Sequence, residues 1–413
     1  MSDNKDRETL ATLGAGLFTN SVWDMLSVVV PLYGVAVGLN AAQIGLIVAA
    51  RSVLPTALSI HGGIVMDQLG TRTVLLWLSF FSILLPVIYP ICGWFSVLVA
   101  LQLILGLVSS LGMTASQTWS LHSSLGDTAT LARFSIATRI GTFLGPVIVG
   151  LAWDLYGAWV AFTCISVCGA GTLGCLAYCH PRGSASPIRF DKNPSLRQKP
   201  KALLKTLWPQ WPAHKQALLL SLIPAVAFIL ASSFLRNSAA AIQSSLYIVY
   251  LESCGMNGTL IGTLVALAEL AGVIGSLMAA PIEKKIRAET LIIGCVGLSI
   301  ITIAITPLIA PWLIVMIFAC IIRGIAQGIS QPLMYSVLSH EAQGKHQGAS
   351  VGLRNAVVRL GSIITPAGMG FVAQIWGIEK SFYIMGGVFL FATALLALVY
   401  QQYQKRHPQS TTD

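Results

Sequence analysis

Five ionisable side chains lie well inside long apolar runs of this sequence: Asp24, Arg51, Arg236, Glu269 and Arg323. A charged side chain at the centre of a bilayer costs at least about 2.5–3.5 kcal/mol, so such residues usually have a functional or ion-pairing role. Guanidinium groups bind carboxylate or phosphate through paired hydrogen bonds, and we therefore expect Arg236 and Arg323 to attract an anionic or zwitterionic group. A buried carboxyl can take up and release a proton, for which Asp24 is the first candidate and Glu269 the second. For Arg51 and Glu269, structural ion pairing with neighbours is an equal alternative.

Polar residues form a single stripe on each of four otherwise apolar runs, because residues three and four apart share one face of a helix. Contact with lipid would be costly, so the stripes must face protein or water. We predict that they line a water-accessible cavity; hydrogen bonding between helices is the alternative. In chain order the stripes are Asn20, Asp24, Ser27 and Pro31; Ser110, Thr114 and Gln117; Ser233, Arg236, Asn237, Gln243 and Tyr247; and Arg323, Gln327, Ser330 and Gln331. The candidate substrate-binding residues among them are Asn20, Asp24, Gln117, Arg236, Asn237, Gln243, Arg323, Gln327 and Gln331.

The composition indicates that lipid surrounds the elements that carry these residues. Of 413 residues, 55% are hydrophobic and only 10% are charged, whereas a soluble domain carries about 25% charged residues. A helix needs about 20 mostly apolar residues to cross a bilayer. Lipid tails cannot form hydrogen bonds, so a spanning segment must pair its own backbone N–H and C=O groups, as a helix does. The sequence therefore predicts an all-α membrane protein with twelve spans: Leu10–Gly38, Ala42–Met66, Thr73–Gly93, Ser96–Ser123, Ala132–Trp153, Trp159–Cys179, Ala217–Tyr250, Thr259–Ala280, Thr290–Ile309, Trp312–Ser339, Ala349–Ile375 and Ser381–Tyr400.

The distribution of basic residues predicts the orientation. Both termini fall on one side of the membrane, and the loops on that side hold nearly all the Lys and Arg residues between the spans, whereas the opposite loops hold Lys380 alone. This bias places the termini and the basic segment between the sixth and seventh spans in the cytoplasm. It also accounts for the net charge of +10 without nucleic-acid binding. We see no removable signal peptide, and we predict a multi-pass protein of a bacterial-type cytoplasmic (inner) membrane.

An internal repeat relates the two halves of the chain. We predict a six-helix bundle over residues 1–180, a basic cytoplasmic linker over 181–216, and a second six-helix bundle with a short tail over 217–413. Because each half holds an even number of spans, the repeats are parallel. A shift of 217 pairs Tyr33, Gly38, Asn40, Ile44 and Gly45 with Tyr250, Gly255, Asn257, Ile261 and Gly262, and a shift of 220 pairs Arg139, Gly141, Pro146, Gly150, Gly157 and Phe162 with Arg359, Gly361, Pro366, Gly370, Gly377 and Phe382.

A loop motif carries a resemblance to a known family. The segment Gly63-Ile-Val-Met-Asp67-Gln-Leu-Gly70-Thr-Arg72 resembles the signature G-x-x-x-D-x-x-G-x-R between the second and third helices of major facilitator transporters. The stretch from Gly141 to Gly150 is distantly similar to the Gly-Pro motif of their drug/proton antiporter branch. Two features depart from the pattern: Lys284 and Glu289 replace the motif's Asp and Arg in the second half, and Gln102 stands where the fourth helix often carries an arginine. The resemblance implies that the first, fourth, seventh and tenth spans surround a central cavity.

The same motifs supply candidate gating residues. Gly63 and Gly70 permit close packing and a sharp turn, and Asp67 and Arg72 can bridge to neighbouring helix ends as a latch that is made in one state and broken in another. Simple anchoring of the loop by Arg72 is the alternative. The other candidates, which would let two helices pack closely and bend, are Gly145, Pro146 and Pro366. Close packing without motion is equally compatible with them.

These features predict a secondary active transporter of a small organic solute that works by alternating access and uses the proton gradient. The excess of arginine inside the spans favours an anionic or zwitterionic solute. We predict a monomer with no cofactor and no metal site, because four cysteines along one face of the sixth span cannot readily surround an ion. The alternatives are a multidrug/proton antiporter, a lipid-handling member of the fold, and a membrane sensor that binds a solute without moving it. No catalytic motif supports an enzyme.

Overall fold

The computed structural model describes residues 2–124, 127–179, 224–341 and 347–406. Helices make up nearly all of this part of the chain, and it contains no β-strand. The predicted basic linker over 181–216 lies outside the described residues. The all-helical fold class is thereby confirmed, as expected where the backbone must satisfy its own hydrogen bonds.

Six long helices form the first half of the described chain. The third is followed by a single 3₁₀ turn, Tyr89–Ile91, which completes the third span. The helices are α1 (Ser2–Ala36), α2 (Ala41–Leu69), α3 (Thr71–Ile88), α4 (Phe95–Ser124), α5 (Thr128–Tyr156) and α6 (Ala158–Tyr178).

Eight helices form the second half, because two of the predicted spans are interrupted. The seventh span consists of α7 and α8, and the ninth consists of α10 and α11. The helices are α7 (Pro224–Gln243), α8 (Leu246–Ser253), α9 (Gly258–Glu283), α10 (Ala288–Ala304), α11 (Thr306–Ile309), α12 (Leu313–Glu341), α13 (Gln347–Trp376) and α14 (Ile378–Arg406).

The break in the seventh span corrects the prediction of one uninterrupted run from Ala217 to Tyr250. Ser244 and Ser245 separate α7 from α8, and both hydroxyls donate to the carbonyl of Ala241. Serine side chains that bond to nearby carbonyls compete with the helical ladder and often bend it. Eleven spans in the described residues are long and apolar enough to cross a membrane; the twelfth, Ala288–Ala304, is a shorter apolar helix.

The described residues group into two compact units. The first lies within Met1–Gly38, Ala50–Pro212 and Asn257–Ala266, and the second within Leu39–Ala49, Ala213–Met256 and Leu267–Asp413. In the first unit α1 packs on α4, α5 and α6, and in the second α13 packs on α7 while α10 packs on α12. The first turns of α2 thus belong to the second unit, and those of α9 to the first.

Equivalent contacts inside the two units confirm the predicted repeat. In the first unit the ring of Tyr33 meets Phe162 edge-on at 5.4 Å between centroids. In the second unit the paired residues Tyr250 and Phe382 meet at the same 5.4 Å.

Close glycine contacts also occur at equivalent places in the two units: a Cβ atom on Gly106 would clash with the carbonyl of Arg51 in the first unit. In the second unit, a Cβ on Gly324 would clash with that of Ala268.

Candidate functional site

Arg236 joins α7 to the polar stripe of α12 inside the second unit. Its Nε donates to the carbonyl of Gln327 at 3.3 Å and to Oγ of Ser330 at 3.1 Å. Its Nη2 donates to the same carbonyl at 3.1 Å and to Oε1 of Gln331 at 3.2 Å. The structure therefore brings together three predicted binding residues, Arg236, Gln327 and Gln331. Gln331 is exposed and Arg236 is only partly buried.

Arg323 lies deeper on the same helix, α12, and is only 1% exposed. Its guanidinium sits 5.0 Å from the ring centre of Tyr247, and its Nη2 lies 3.6 Å from Sγ of Cys320. The Tyr247 hydroxyl is in turn 3.3 Å from the same sulfur. Within the described residues, Nε of Arg323 has no hydrogen-bond partner. A buried N–H without a partner is costly to maintain, so this donor calls for a physical explanation.

Glu269, on α9, connects these two arginines electrostatically. The charge of its carboxylate acts favourably on both Arg236 and Arg323. The sequence left Glu269 as either a coupling group or a structural ion-pairing partner. Its charge acts on two predicted anion-binding residues of the second unit, and both roles stay predictions.

A third arginine of this unit escaped the sequence analysis. Arg354, on α13, is 3% exposed; its Nε donates to Oγ of Ser233 at 3.0 Å, and its guanidinium lies 4.2 Å from the ring centre of Tyr335. Its charge also acts repulsively on Arg236. We refer to Arg236, Arg323, Arg354 and Glu269 as the arginine cluster.

The position of Arg354 explains why it was missed. It stands near the beginning of the predicted span that starts at Ala349, where a basic residue is expected to mark the cytoplasmic boundary. Its partner in the repeat is Phe134, an apolar residue, so the comparison of the halves gave no signal. The available clue was that it falls within the apolar helix segment Leu353–Trp376.

Two predicted binding residues of α7 have other surroundings. The amide of Asn237 donates to the carbonyl of Val358 at 2.6 Å and to Oγ of Ser362 at 2.8 Å, both on α13. Hydrogen bonding between helices, the alternative weighed for the stripes, thus describes this contact. Gln243 is 5% exposed and is the last residue of α7, next to the break in the span.

The first unit holds the other predicted charged pair. Arg51 is 6% exposed, and its Nη1 donates to the backbone carbonyl of Trp23 at 3.1 Å. Its guanidinium also lies 4.1 Å from the centre of the Trp23 ring. The charge of Asp24, which is half-buried, acts favourably on it. Asn20, one turn before Asp24, donates to the carbonyl of Gly16 at 2.8 Å. Gln117 is exposed on α4.

The loop motif bridges two helices in the first unit. Gly70 has a φ of 85° at the start of α3, a left-handed conformation that favours glycine and makes the turn sharp. Nη2 of Arg72 donates to the carbonyls of Leu176 and Cys179 at the end of α6. Gly63 and Asp67 lie on α2, but their surroundings fall outside what the structure describes. The latch role of these four residues stays a prediction.

The Gly-Pro positions make close helix contacts at equivalent places. In the first unit Gly145 packs against Ser21 and Met25 of α1, and the carbonyl of Pro146 abuts Gly262 of α9. In the second unit the carbonyl of Pro366, on α13, abuts Gly45 of α2. Close packing at these residues is therefore present, and bending at them stays a prediction.

Comparison with known proteins places the chain in a family. The sequence profile described as "Major Facilitator Superfamily" matches residues 12–236 and again residues 226–413, so both halves match separately. The chain belongs to the Major Facilitator Superfamily. It is therefore a multi-pass membrane transporter of a small-molecule substrate, and the resemblance drawn from the loop motif is confirmed.

Solved structures of this superfamily share the fold. A point mutant of the nucleoside transporter NupG is 12% identical with a TM-score of 0.77, covering 95% of this chain and 99% of its own. NupG itself has a TM-score of 0.73 at the same identity and coverage. A bacterial homologue of the human lysosomal transporter Spinster, solved inward-facing and unoccupied, is 14% identical with a TM-score of 0.73, and each chain is covered to 98%. A search of curated proteins gave no match. At these identities the likeness shows the fold alone.

The second unit also contains a cavity whose described lining is apolar, in contrast to the charged arginine cluster. It has a volume of about 600 Å³ between α7, α13 and α14. Its described lining is entirely apolar, for example Leu230, Phe234, Val357, Phe389 and Leu395, and includes no predicted site residue. Such a lining offers no group that could orient a polar solute, so we keep the arginine cluster as the candidate site.

Proposed function

We propose that this superfamily member carries a small organic anion together with a proton by alternating access. The observation that carries the proposal is the arginine cluster, in which a single carboxylate, Glu269, acts on both Arg236 and Arg323. The cluster sits on α7, α9, α12 and α13, with Arg323, Gln327 and Gln331 spaced along α12.

The charge balance of the cluster supports an anionic substrate. The cluster contains three arginines and one acidic residue, and Arg354 repels Arg236. Positive charges that are held together away from water raise the energy of the empty site. A substrate carboxylate or phosphate would offset that repulsion and could form paired hydrogen bonds with a guanidinium.

Glu269 supplies a physical route to proton coupling. Its carboxylate and the substrate anion would compete for the same two arginines, Arg236 and Arg323. Protonation of Glu269 removes the competing charge and leaves the arginines available to the substrate. Proton and anion would therefore bind together, and this cooperativity corresponds to symport. The sequence favoured Asp24 for this role; we make it the second candidate because its charge acts on Arg51 of the first unit and not on the arginines proposed to bind the substrate.

Transport in proteoliposomes tests the proposal. The purified protein would be given labelled carboxylates, phosphate esters, zwitterions and cationic drugs under an inside-alkaline pH gradient. We expect gradient-driven uptake of anions, and we expect Glu269→Gln to keep counterflow of the same anion while losing the response to the gradient. Glu289→Gln is the matched control, because Glu289 pairs with Arg287 at 3.7 Å at the start of α10, away from the cluster.

The outcomes separate the alternatives. Uptake that is unaffected by pH and by Glu269→Gln would refute coupling through this residue. Proton-driven movement of cationic drugs alone would replace the proposal by a drug/proton antiporter. Binding of a solute without counterflow would identify a sensor.

The location in the membrane is also a proposal. We propose a monomer in a bacterial-type inner membrane with both termini in the cytoplasm, as the Lys and Arg bias indicates. Cys254, an exposed residue between α8 and α9, would then face the opposite side. In a variant that keeps this cysteine alone, a membrane-impermeant maleimide should label intact spheroplasts. Labelling only after lysis would reverse the topology.

A further inference from the structure

One ridge of α12 connects the three arginines of the cluster: Arg323 belongs to it, and Arg236 and Arg354 contact it from α7 and α13. Arg323, Gln327, Gln331 and Tyr335 are each four residues apart, so their side chains follow one another along the helix. Arg236 bonds to the two middle positions, and Arg354 stacks on Tyr335 at the far end. At a rise of about 1.5 Å per residue, the ridge covers about 18 Å.

The two ends of this ridge differ in their surroundings. At the inner end, Arg323 is 1% exposed and is influenced by Glu269. At the outer end, Tyr335 is 39% exposed and Gln331 is exposed as well. An incoming anion would therefore meet the outer end of the ridge before it reaches the inner one.

Arg354 has unused binding capacity at that outer end. An arginine carries five N–H donors. In the described part of the chain, the hydrogen bond of Arg354 runs from Nε to Ser233, and its flat face is covered by Tyr335. Nη1 and Nη2, which form the end of the guanidinium fork, make no hydrogen bond there. The serine and the ring hold the fork in place, so little conformational freedom would be lost on binding an anion.

We propose that Arg354 and Arg236 together bind a doubly charged substrate group. The proposal rests on the function proposed above and narrows it to organic dianions: dicarboxylates or phosphate monoesters. Arg236 and Arg354 contribute two positive charges towards the outer end of the ridge, and a ligand that reaches both offsets their repulsion more fully than a monoanion does. A monoanion would satisfy Arg236 and leave Arg354 without a counter-charge.

Four small probes with one benzene ring each test this claim on the purified full-length protein. They are isophthalate, with two carboxylates; phenyl phosphate, which is doubly charged at about pH 8; benzoate, with one charge; and neutral benzyl alcohol. The readout is the apparent melting temperature at fixed ionic strength, because a ligand of the folded state raises it by mass action. We expect at least one dianion to stabilise the protein at a concentration about tenfold below that of benzoate. Which of the two does so distinguishes a dicarboxylate from a phosphate ester.

Variants locate the preference. Arg354→Gln should raise the concentration at which the dianion stabilises the protein to that of benzoate, whereas Arg236→Gln should weaken the binding of both ligands. Arg139→Gln, which removes an exposed arginine of α5, is the matched control and should change neither. If Arg354→Gln does not fold, Arg354→Lys keeps the charge without the fork, and we expect it to lose part of the dianion preference alone.

The results separate this inference from the function on which it rests. The role of Arg354 is overturned if dianions and benzoate stabilise the protein equally, or if the dianion preference survives in Arg354→Gln. The proposed anion transporter still stands in either case, provided that Arg236→Gln weakens the binding of benzoate. If no anion stabilises the protein more than benzyl alcohol does, the inference and the proposed anionic substrate both fail.

Discussion

The carboxylate of Asp154, near the end of α5, accepts a hydrogen bond from the backbone N–H of Thr259 at 2.7 Å. Its other oxygen, Oδ1, accepts from the N–H of Gly258 at 2.7 Å, and the Thr259 hydroxyl donates to Oδ2, which also accepts from the Thr259 N–H. Asp154 therefore caps the first turn of α9 from a neighbouring helix. The first turn of a helix has unpaired N–H groups and a partial positive charge, both of which a carboxylate satisfies.

Removing this cap should loosen α9 from α5. We expect Asp154→Ala to destabilise the first unit by about 0.5–2 kcal/mol, which is the usual cost of losing a helix cap. The apparent melting temperature of the purified protein measures the effect. Thr263→Ala is the control, because among the described residues its exposed hydroxyl bonds to the carbonyl of Thr259, within α9 itself. If the melting temperature of Asp154→Ala equals that of the native protein, the cap contributes nothing to stability.

Glycines at the repeated helix contacts give a second prediction. A Cβ on Gly324 would meet the carbonyl of Ala268, whereas Gly297, inside α10, has no neighbour within 4 Å of that position. Gly324→Ala should therefore cost about 1–3 kcal/mol through overpacking. Gly297→Ala should be neutral or stabilising by up to about 1 kcal/mol through helix propensity. Thermal melting of both variants checks this, and equal losses in the two would contradict the contact.

The sequence predicts well those features that depend on spacing along the chain. Long apolar runs gave the spans, and glycines, prolines and aromatic residues in register gave the repeat that Tyr33 and Tyr250 then display as equivalent ring contacts. Each of these signals is local or periodic, so one chain suffices to detect it. The break at Ser244 and Ser245 was hidden because serine is tolerated inside apolar spans.

The partners of individual side chains were not predictable in the same way. Arg236 and Asn237 are neighbours in sequence and were assigned one role, yet the first bonds to α12 and the second to α13. A turn of about 100° per residue separates adjacent side chains, and only the packing of helices decides what each one meets. Arg354 shows the same limit, since its burial depends on Tyr335, a residue of another helix.

The loop arginine gives a third prediction. Arg72 holds the end of α6 through the carbonyls of Leu176 and Cys179, and Cys179 is 5% exposed. Arg72→Ala should release this end and increase the labelling rate of Cys179 by a maleimide, measured in a variant that keeps Cys179 as its single cysteine. Arg72→Lys should lie between, because an ammonium cannot reproduce the guanidinium fork. Labelling that stays as slow as in the parent variant would mean that Arg72 does not secure the helix end.

Arg323 gives the last prediction, in which stability and transport change in opposite directions. Its guanidinium is almost fully buried, its Nε has no partner among the described residues, and its contacts are a sulfur and an aromatic ring. A buried N–H without a hydrogen-bond partner carries a desolvation cost of about 1–3 kcal/mol, which a methionine side chain removes, and Glu269 keeps Arg236 as a favourable charge. Arg323→Met should therefore melt at or above the native temperature while anion uptake in proteoliposomes is lost.

Tyr247→Phe is the control for this experiment, since it keeps the ring beneath the guanidinium and removes only the hydroxyl that approaches Cys320. It should retain uptake. If Arg323→Met melts several degrees lower than the native protein and still takes up anions, Arg323 is a structural residue. Its burial would then be explained by its contribution to stability alone, and no role in binding a substrate would be needed.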